Sequence, residues 1–520
     1  MLFNSYLFIF VFLPIVLLGF HLIGKRGHLR MAICWLIIAS LFFYGWWNPA
    51  YLGLILASII FNYAVRVFLG RNPSKYILAF GITVNIVLLG YFKYANFFVD
   101  NFNVITGVNI HLEKIILPLA ISFFTFQQIM YLVDVYRGLA KEYGFLNYCL
   151  FVSFFPQLIA GPIVHYKEML PQFANNTLYR LKASNMSIGI TIFILGLFKK
   201  VVFADNIARI SNSVFKAAED GVALTFFEAW GGATAYTFQL YFDFSGYSDM
   251  AIGLARMFGI ILPLNFYSPY KANSILEFWR RWHITLSRFL LDYLYIPLGG
   301  NRRGQVRRNA NLMITMLLAG LWHGAGWTFI IWGGMHGVFL SINHGWNAMA
   351  NKIFTCGYKA LFITKISGRV VTFIAIVIAW VMFRADSLDG AISMYSGMFG
   401  YNGISLPVLC ESRLSGLGGI FKTLGFTYQG MFHNGVFGVD DYRKGIALLL
   451  FMLLFVWFSP NTIDWFKNEK PALGLEVLTS GKGTMLAWKY NVIFAILLAL
   501  ITVVCVLNMS APSEFLYFQF

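Results

Sequence analysis

Charge is what this chain has least of: 12% of its 520 residues are Asp, Glu, Lys or Arg, against about 25% in soluble globular proteins. That shortage excludes an ordinary water-exposed surface. No soluble domain, low-complexity linker or short-period repeat interrupts the sequence. Cysteine is scarce as well. Cys34, Cys149, Cys356, Cys410 and Cys505 form no CxxC pair and no metal-ligand spacing, and three of them sit in apolar runs, where a thiol acts as a small hydrophobe. Missing too are the GxSxG elbow of serine hydrolases, the HExxH helix and the EF-hand loop. The phosphate-cradling GxxxxGK[ST] is absent, because Gly481-Lys482-Gly483-Thr484 lacks the upstream glycine. No metal and no bound cofactor are called for.

What is present is apolar. Hydrophobic residues make up 59% of the chain and the mean hydropathy is +0.68. Runs of membrane-spanning character recur at 5–24, 31–46, 51–69, 76–92, 115–133, 184–198, 310–322, 327–343, 369–383, 446–459 and 490–508. A spanning helix needs about 20 mostly apolar residues. The pattern predicts an all-α integral membrane protein with roughly ten to twelve spans, the shorter runs being tilted, re-entrant or interfacial. The first run has no basic leader and no small-residue cleavage site, so it reads as a retained span.

Acidic residues are the rarer charges: 22 Asp plus Glu against 39 Lys plus Arg, a net +17. In a soluble protein that excess would suggest nucleic acid. Here the basic residues cluster in short loops, as the positive-inside rule expects. Lys25, Arg26 and Arg30 follow the first run; Arg66, Arg71 and Lys75 follow the third; Arg137 and Lys141 come after the segment ending near Tyr136; Arg302, Arg303, Arg307 and Arg308 form the densest group. With those loops cytoplasmic, the N-terminus lies outside, as do the Trp46–Pro49 turn and the 97–113 segment. No nucleic-acid partner is expected.

The chain divides into N-terminal spans (1–100), a core (101–345) and C-terminal spans (346–520) with a polar, Gly-rich loop at about 400–445, all in one multispanning domain (1–520). In the core, hydrophobic segments are broken by Gly, Pro, His, Asp and Arg. Irregular backbone at membrane depth persists only where protein or a wet cavity surrounds it, so the cavity belongs here. Asp243, Ser245, Tyr247, Ser248 and Asp249 form a polar knot expected to hold a broken backbone and to brace basic residues, since intramembrane acids usually pair or line a path. Asp134 and Arg137, at i and i+3, are placed to pair.

Two histidines stand out in apolar surroundings, and an ionisable side chain at membrane depth is a functional hypothesis by default. His323 follows Gly320-Leu321-Trp322, with Gly324 and Gly326 beyond it; the glycines admit a substrate or another backbone. Burial penalises a charged imidazole, and the neutral form accepts a proton, as a general base for a hydroxyl must. His283 lies in Phe278-Trp279-Arg280-Arg281-Trp282-His283. Over 275–296 the spacing predicts an amphipathic helix with Arg280, His283 and Ser287 on its polar stripe. There His283 would orient a substrate or donate to developing charge. His336, thirteen residues past His323, reads as structural. Arg302 and Arg303 set topology, attract an anionic donor, or do both.

Several stretches in one order resemble the membrane-bound O-acyltransferase family, in its bacterial polysaccharide O-acetyltransferase branch. They run from Leu117-Pro118 to Arg137-Gly138, from Phe154 to Pro162, from Tyr241 to Ala251, from Glu277 to His283, from Asp292 to Gly304, and from Gly320 to Gly324. The resemblance implies helices around a tunnel that reaches both membrane faces. It matches the family's histidine to His323 and its second polar position to His283. It implies transfer of an acyl group from a thioester, acetyl-CoA, to a hydroxyl of an exported polysaccharide or of an extracytoplasmic partner acetyltransferase, in a bacterial inner membrane. Substrate or donor contact is then expected of Trp279, Arg280, Trp282, Asn301, Arg302, Arg303, Trp322 and Gly324. D-alanyl transfer to teichoic acid is the related alternative. A non-catalytic transporter also suits broken helices, although no inverted repeat is visible.

Overall fold

The computed structural model describes the chain except residues 141–143, 160, 176–181, 354–361, 408–410, 412–425, 433, 439–441, 476–486, 511–515 and 517–520. Lys141, Cys356, Cys410, Gly481–Thr484 and much of the 400–445 loop therefore lie outside the described residues.

Helices dominate. A π-helical turn, Phe8–Phe12, leads into α1 (Leu13–Lys25), followed by α2 (Leu29–Gly45), α3 (Ala50–Arg71) and α4 (Lys75–Thr106). Next come α5 (Ile121–Tyr136), α6 (Phe145–Ser153), α7 (Phe155–Leu158) and α8 (Tyr166–Phe173). Then α9 (Ala183–Phe198) passes through a π-helical turn, Lys199–Ala204, into α10 (Asp205–Glu219), and α11 (Phe226–Met257) follows. The later helices are α12 (Ile275–Trp279), α13 (Ile284–Leu290), α14 (Gly304–His323), α15 (Trp327–Ile353), α16 (Phe362–Arg384), α17 (Leu388–Met398), α18 (Tyr442–Phe458), α19 (Thr462–Trp465) and α20 (Val492–Asn508). The strands among the described residues are a two-residue parallel pair, Ile404–Ser405 with Phe426–Thr427.

Among the described residues five helices are long and apolar enough to cross a bilayer: Phe8–Lys25, Ala50–Arg71, Lys75–Thr106, Ala183–Glu219 and Lys365–Arg384; Leu29–Gly45 and Val492–Asn508 are shorter apolar helices. Their outer faces carry exposed apolar side chains, such as Ile15, Leu18 and Leu22 on α1 and Ile493, Ile496, Leu500 and Val503 on α20. That is a lipid-facing surface.

The centre of the molecule is α11, and here the structure corrects the sequence reading. The knot at Asp243–Asp249 is not broken backbone: it lies within an unbroken 32-residue helix, nearly all of it buried. Its bracing role holds. Lys200 pairs with Asp243 and Asp205, each at 2.7 Å, and Lys199 with Asp249 at 2.6 Å. Asp243 also accepts from the backbone of Leu516 at 3.2 Å. The π-helical turn beside α11 sets both lysines toward it. Tyr247 stacks on Phe3 at 4.6 Å, and Ser245 and Ser248 are buried. The close fit of α9 to α11 comes from glycine. A Cβ on Gly196 would meet the Gly246 carbonyl at 2.6 Å, and one on Gly253 the Gly189 carbonyl at 2.6 Å. Small residues at a helix interface let backbones touch, which drives packing where lipid supplies no hydrophobic force.

Chain direction sorts the two membrane faces. The turns 26–28, 46–49 and 72–74 make α1 to α4 alternate up and down, so Lys25, Arg26, Arg71 and Lys75 share one face. Phe126 stacks on Phe289 at 4.3 Å and Asp134 accepts from Tyr293 at 2.7 Å, so α13 runs alongside α5 in the same direction. Both end at the basic face, near Arg137. The turn carrying Arg302 and Arg303 therefore starts α14 from that face too.

Candidate functional site

The residues singled out by sequence converge where α14 ends. Tyr94 and Lys93 of α4 bond to the backbone of its last turn. Lys93 lies 18 residues after Lys75, about 27 Å along the helix. The site is thus deep, well away from the basic face.

His323 is the last residue of α14 and 8% exposed. Its imidazole meets Trp322 (4.8 Å between ring centres), Trp332 (5.2 Å) and Phe383 (5.2 Å), the latter two edge-on. It opens on a cavity of about 70 Å³ lined by Lys93, Leu117 to Phe123, Ile159 and Trp322, room for a few waters. Among the described residues neither ring nitrogen of His323 has a hydrogen-bond partner. The glycines beside it admit backbone: side chains at Gly320 and Gly333 would collide with the carbonyls of Phe329 and Met316, which locks α14 against α15. Gly324 continues the chain in an extended conformation under the Phe329 ring.

His283 packs against Trp322, the residue next to His323, with 6.4 Å between the His283 and Trp322 ring centres. The helix expected over 275–296 is broken here. α12 stops at Trp279, and His283 adopts a left-handed conformation (φ 41°) before α13 begins. A bulky residue with positive φ is strained, and Asn265 supplies the compensation. Its backbone carbonyl accepts from Ile284 N at 2.9 Å. Its Oδ1 accepts from Thr285 Oγ1 at 2.9 Å and faces His283 Nδ1 at 3.1 Å. Because Oδ1 can only accept, Nδ1 carries the proton and Nε2 is the acceptor nitrogen. The kink buries His283 (1% exposed) against Phe244 and Phe266 instead of leaving it on a polar face.

The tryptophans form the wall. Trp279 Nε1 donates to His336 Nδ1 at 3.3 Å. Trp332 stacks on Trp380 at 5.6 Å, and Trp282 packs on Trp380 at 5.0 Å. Trp322 stacks on Phe126 at 5.3 Å. His336 is fully buried among these rings, a packed position. Trp380 and Phe383, from α16, were not singled out by sequence; they stand in an apolar run and are two of many aromatics in such runs. Lys93, Tyr94 and Asn265 were missed as well. A lone lysine inside a long apolar helix was the available signal for the first.

The basic residues are not brought to the histidines. Asn301, Arg302 and Arg303 are exposed at the start of α14, whose 20 residues put them about 30 Å from His323. Arg280 is exposed on a separate cleft of about 1080 Å³, lined also by Glu277, Asn343, Trp346, Asn347 and Lys365. Its neighbour Arg281 is held by Glu277 at 2.7 Å. Asp134 and Arg137 lie 4.0 Å apart, but Asp134 is held closer by His165 (2.8 Å) and Tyr293 (2.7 Å).

A deep imidazole with an open ring edge, a second histidine nearby and an aromatic shell suits acid–base group transfer. The family model of the membrane-bound O-acyltransferases matches residues 77–385. The chain belongs to that family. It is a multi-pass membrane O-acyltransferase, and the matched span includes α4, α14 and the α16 residues that wall the site. A peptidoglycan O-acetyltransferase of Helicobacter pylori is 42% identical over 512 residues, covering 92% of this chain and 94% of that one. A probable alginate O-acetylase of Pseudomonas putida is 39% identical over 532 residues, the full length of both. A teichoic acid D-alanyltransferase of Streptococcus thermophilus is 29% identical over 236 residues, 44% of this chain and 57% of that one.

Proposed function

We propose that this O-acyltransferase carries acetyl groups from acetyl-CoA, presented at the basic face, to hydroxyls of an extracytoplasmic polysaccharide, directly or through a partner acetyltransferase, with His323 as general base. The observation that carries the reading is the His323 imidazole, deep in the membrane domain, lining a cavity and without a protein partner among the described residues. The two relatives matched along nearly their whole length are named for acetylation of polymers, peptidoglycan in one case and alginate in the other, whereas the D-alanyltransferase match covers under half of this chain. The excess of basic residues on one face supports a cytoplasmic position for it, in the inner membrane of a bacterium, with the N-terminus outside.

The acceptor hydroxyl enters from the face opposite the basic one. Nε2 or Nδ1 of His323 takes its proton as the oxygen attacks the thioester carbonyl. The tetrahedral intermediate collapses, the C–S bond breaks, and the thiolate leaves with the proton returned by the imidazolium. His283, packed on Trp322 beside the base, orients the acceptor through a neighbouring hydroxyl and not through the one that reacts. The cleft at Arg280 and Lys365 offers cations for the anionic part of the donor. Arg302 and Arg303, about 30 Å from the chemistry, steer that anion and do not touch the thioester.

His323→Ala is expected to reach the membrane at wild-type level and to lose polysaccharide O-acetylation by about 10²–10⁴-fold. O-linked acetate released by mild alkali from the purified polymer measures it. Wild-type acetate in the variant removes His323 from the reaction.

A further inference from the structure

We infer that Lys93 is a positioning residue for His323, an ammonium that fixes the end of the helix carrying the base; this rests on the reading of His323 given above. Helix α14 stops at His323 because the chain turns extended at Gly324. The last carbonyls of a helix have no partner within it, and in apolar surroundings leaving one bare is costly. Two adjacent residues of α4 supply the missing donors. Lys93 Nζ donates to the carbonyls of Trp322 and His323, the latter at 3.1 Å, and Tyr94 Oη donates to Leu321 at 2.9 Å. Three consecutive carbonyls are thereby held from one neighbouring helix.

The choice of lysine is informative. Among the described residues no carboxylate lies within ion-pair distance of Lys93, so its charge is directed at the negative end of the α14 dipole. Nζ also lies 5.8 Å over the Trp322 ring, and Lys93 lines the same cavity as His323. A lysine inside an apolar helix is costly, and a hydroxyl would satisfy only one carbonyl without that cost. An ammonium offers three donors and so grips the two residues that carry the site's rings, Trp322 and His323. Releasing that grip lets the imidazole drift relative to the bound thioester, and displacement of about 1 Å can cost about a hundred-fold in rate.

The test uses the full-length protein in nanodiscs, with acetyl-CoA and wall-polymer or alginate fragments as acceptor, and follows free thiol released. Lys93→Met keeps the stem and removes the charge. The expected result, measured well below the melting temperature of every variant, is a kcat about ten- to a hundred-fold below wild type, an unchanged KM for acetyl-CoA, a modestly lower melting temperature because two carbonyls lose their donor, and recovery of most of kcat in Lys93→Arg. Wild-type kcat in Lys93→Met overturns the proposal, as does a kcat loss that Lys93→Arg leaves in place while restoring the melting temperature. Should Lys93→Met fail to accumulate, Lys93→Gln, with donors but no charge, gives the same reading: reduced kcat supports the role and wild-type kcat contradicts it. His323→Ala in parallel separates the two ideas. If it is inactive while Lys93→Met is fully active, only the positioning role falls; if it is active, the reading of His323 falls with it.

Discussion

At the scale of single residues, the site is an arrangement of nitrogen atoms whose roles are set by what their neighbours can accept. The burial of His323 beside a cavity was legible in the sequence, because an ionisable side chain beside three glycines in an apolar run has few bland explanations. Its partner was only half legible. His283 was found, but the periodicity around it pointed to a continuous helix, and periodicity carries no mark of a left-handed residue. The residue that makes the kink possible, Asn265, is 18 positions away and ordinary in composition. It holds the ring, the Thr285 hydroxyl and the Ile284 amide together. Asn265→Leu leaves buried donors without an acceptor, which costs about 1–3 kcal/mol. We expect a lower melting temperature in detergent and a kcat loss larger than that of His283→Gln. A variant that melts like wild type would show that the kink does not depend on this side chain.

At the scale of elements, burial and pairing explain what hydropathy missed. All eleven apolar runs fall largely within helices, yet α11, the most buried long helix, was absent from that set. Its Asp243, Asp249, Ser245 and Ser248 lower its hydropathy, and those polar groups are tolerated only because Lys199, Lys200 and the glycine contacts with α9 come from another part of the chain. Pairing across 40 or more residues is invisible to a sliding window. The same pairing makes a sharp prediction. Lys200→Met leaves Asp205 and Asp243 buried without their cation, and removal of one partner of a buried pair costs about 3–5 kcal/mol. The variant should fail to accumulate or should melt far below wild type by size-exclusion thermal assay. Normal stability would mean the cluster is hydrated and the helix is held by packing alone.

At the scale of the whole molecule, the basic residues mark one face and the histidines lie toward the other. Helix connectivity puts Lys25, Arg26, Arg71 and Lys75 at the same end of the bundle, as short alternating helices must. What the loop charges could not forecast is distance: α14 separates Arg302 and Arg303 from His323 by its full length. They can act on a donor's anionic head only through the field near the membrane surface. Arg302→Ala with Arg303→Ala is therefore expected to raise the KM for acetyl-CoA several-fold, more at low than at high salt, with kcat unchanged; a fall in kcat would place these residues in the reaction. In the proposed reaction one imidazole is reached by a thioester from the basic face and by a hydroxyl from the other. Proteoliposomes of defined orientation test it most directly, with radiolabelled acetyl-CoA added only at the basic face and polymer fragments only at the opposite one. Wild type should yield labelled polymer and His323→Ala none; labelling by the variant, or no labelling by wild type unless both substrates share one side, would rule this arrangement out.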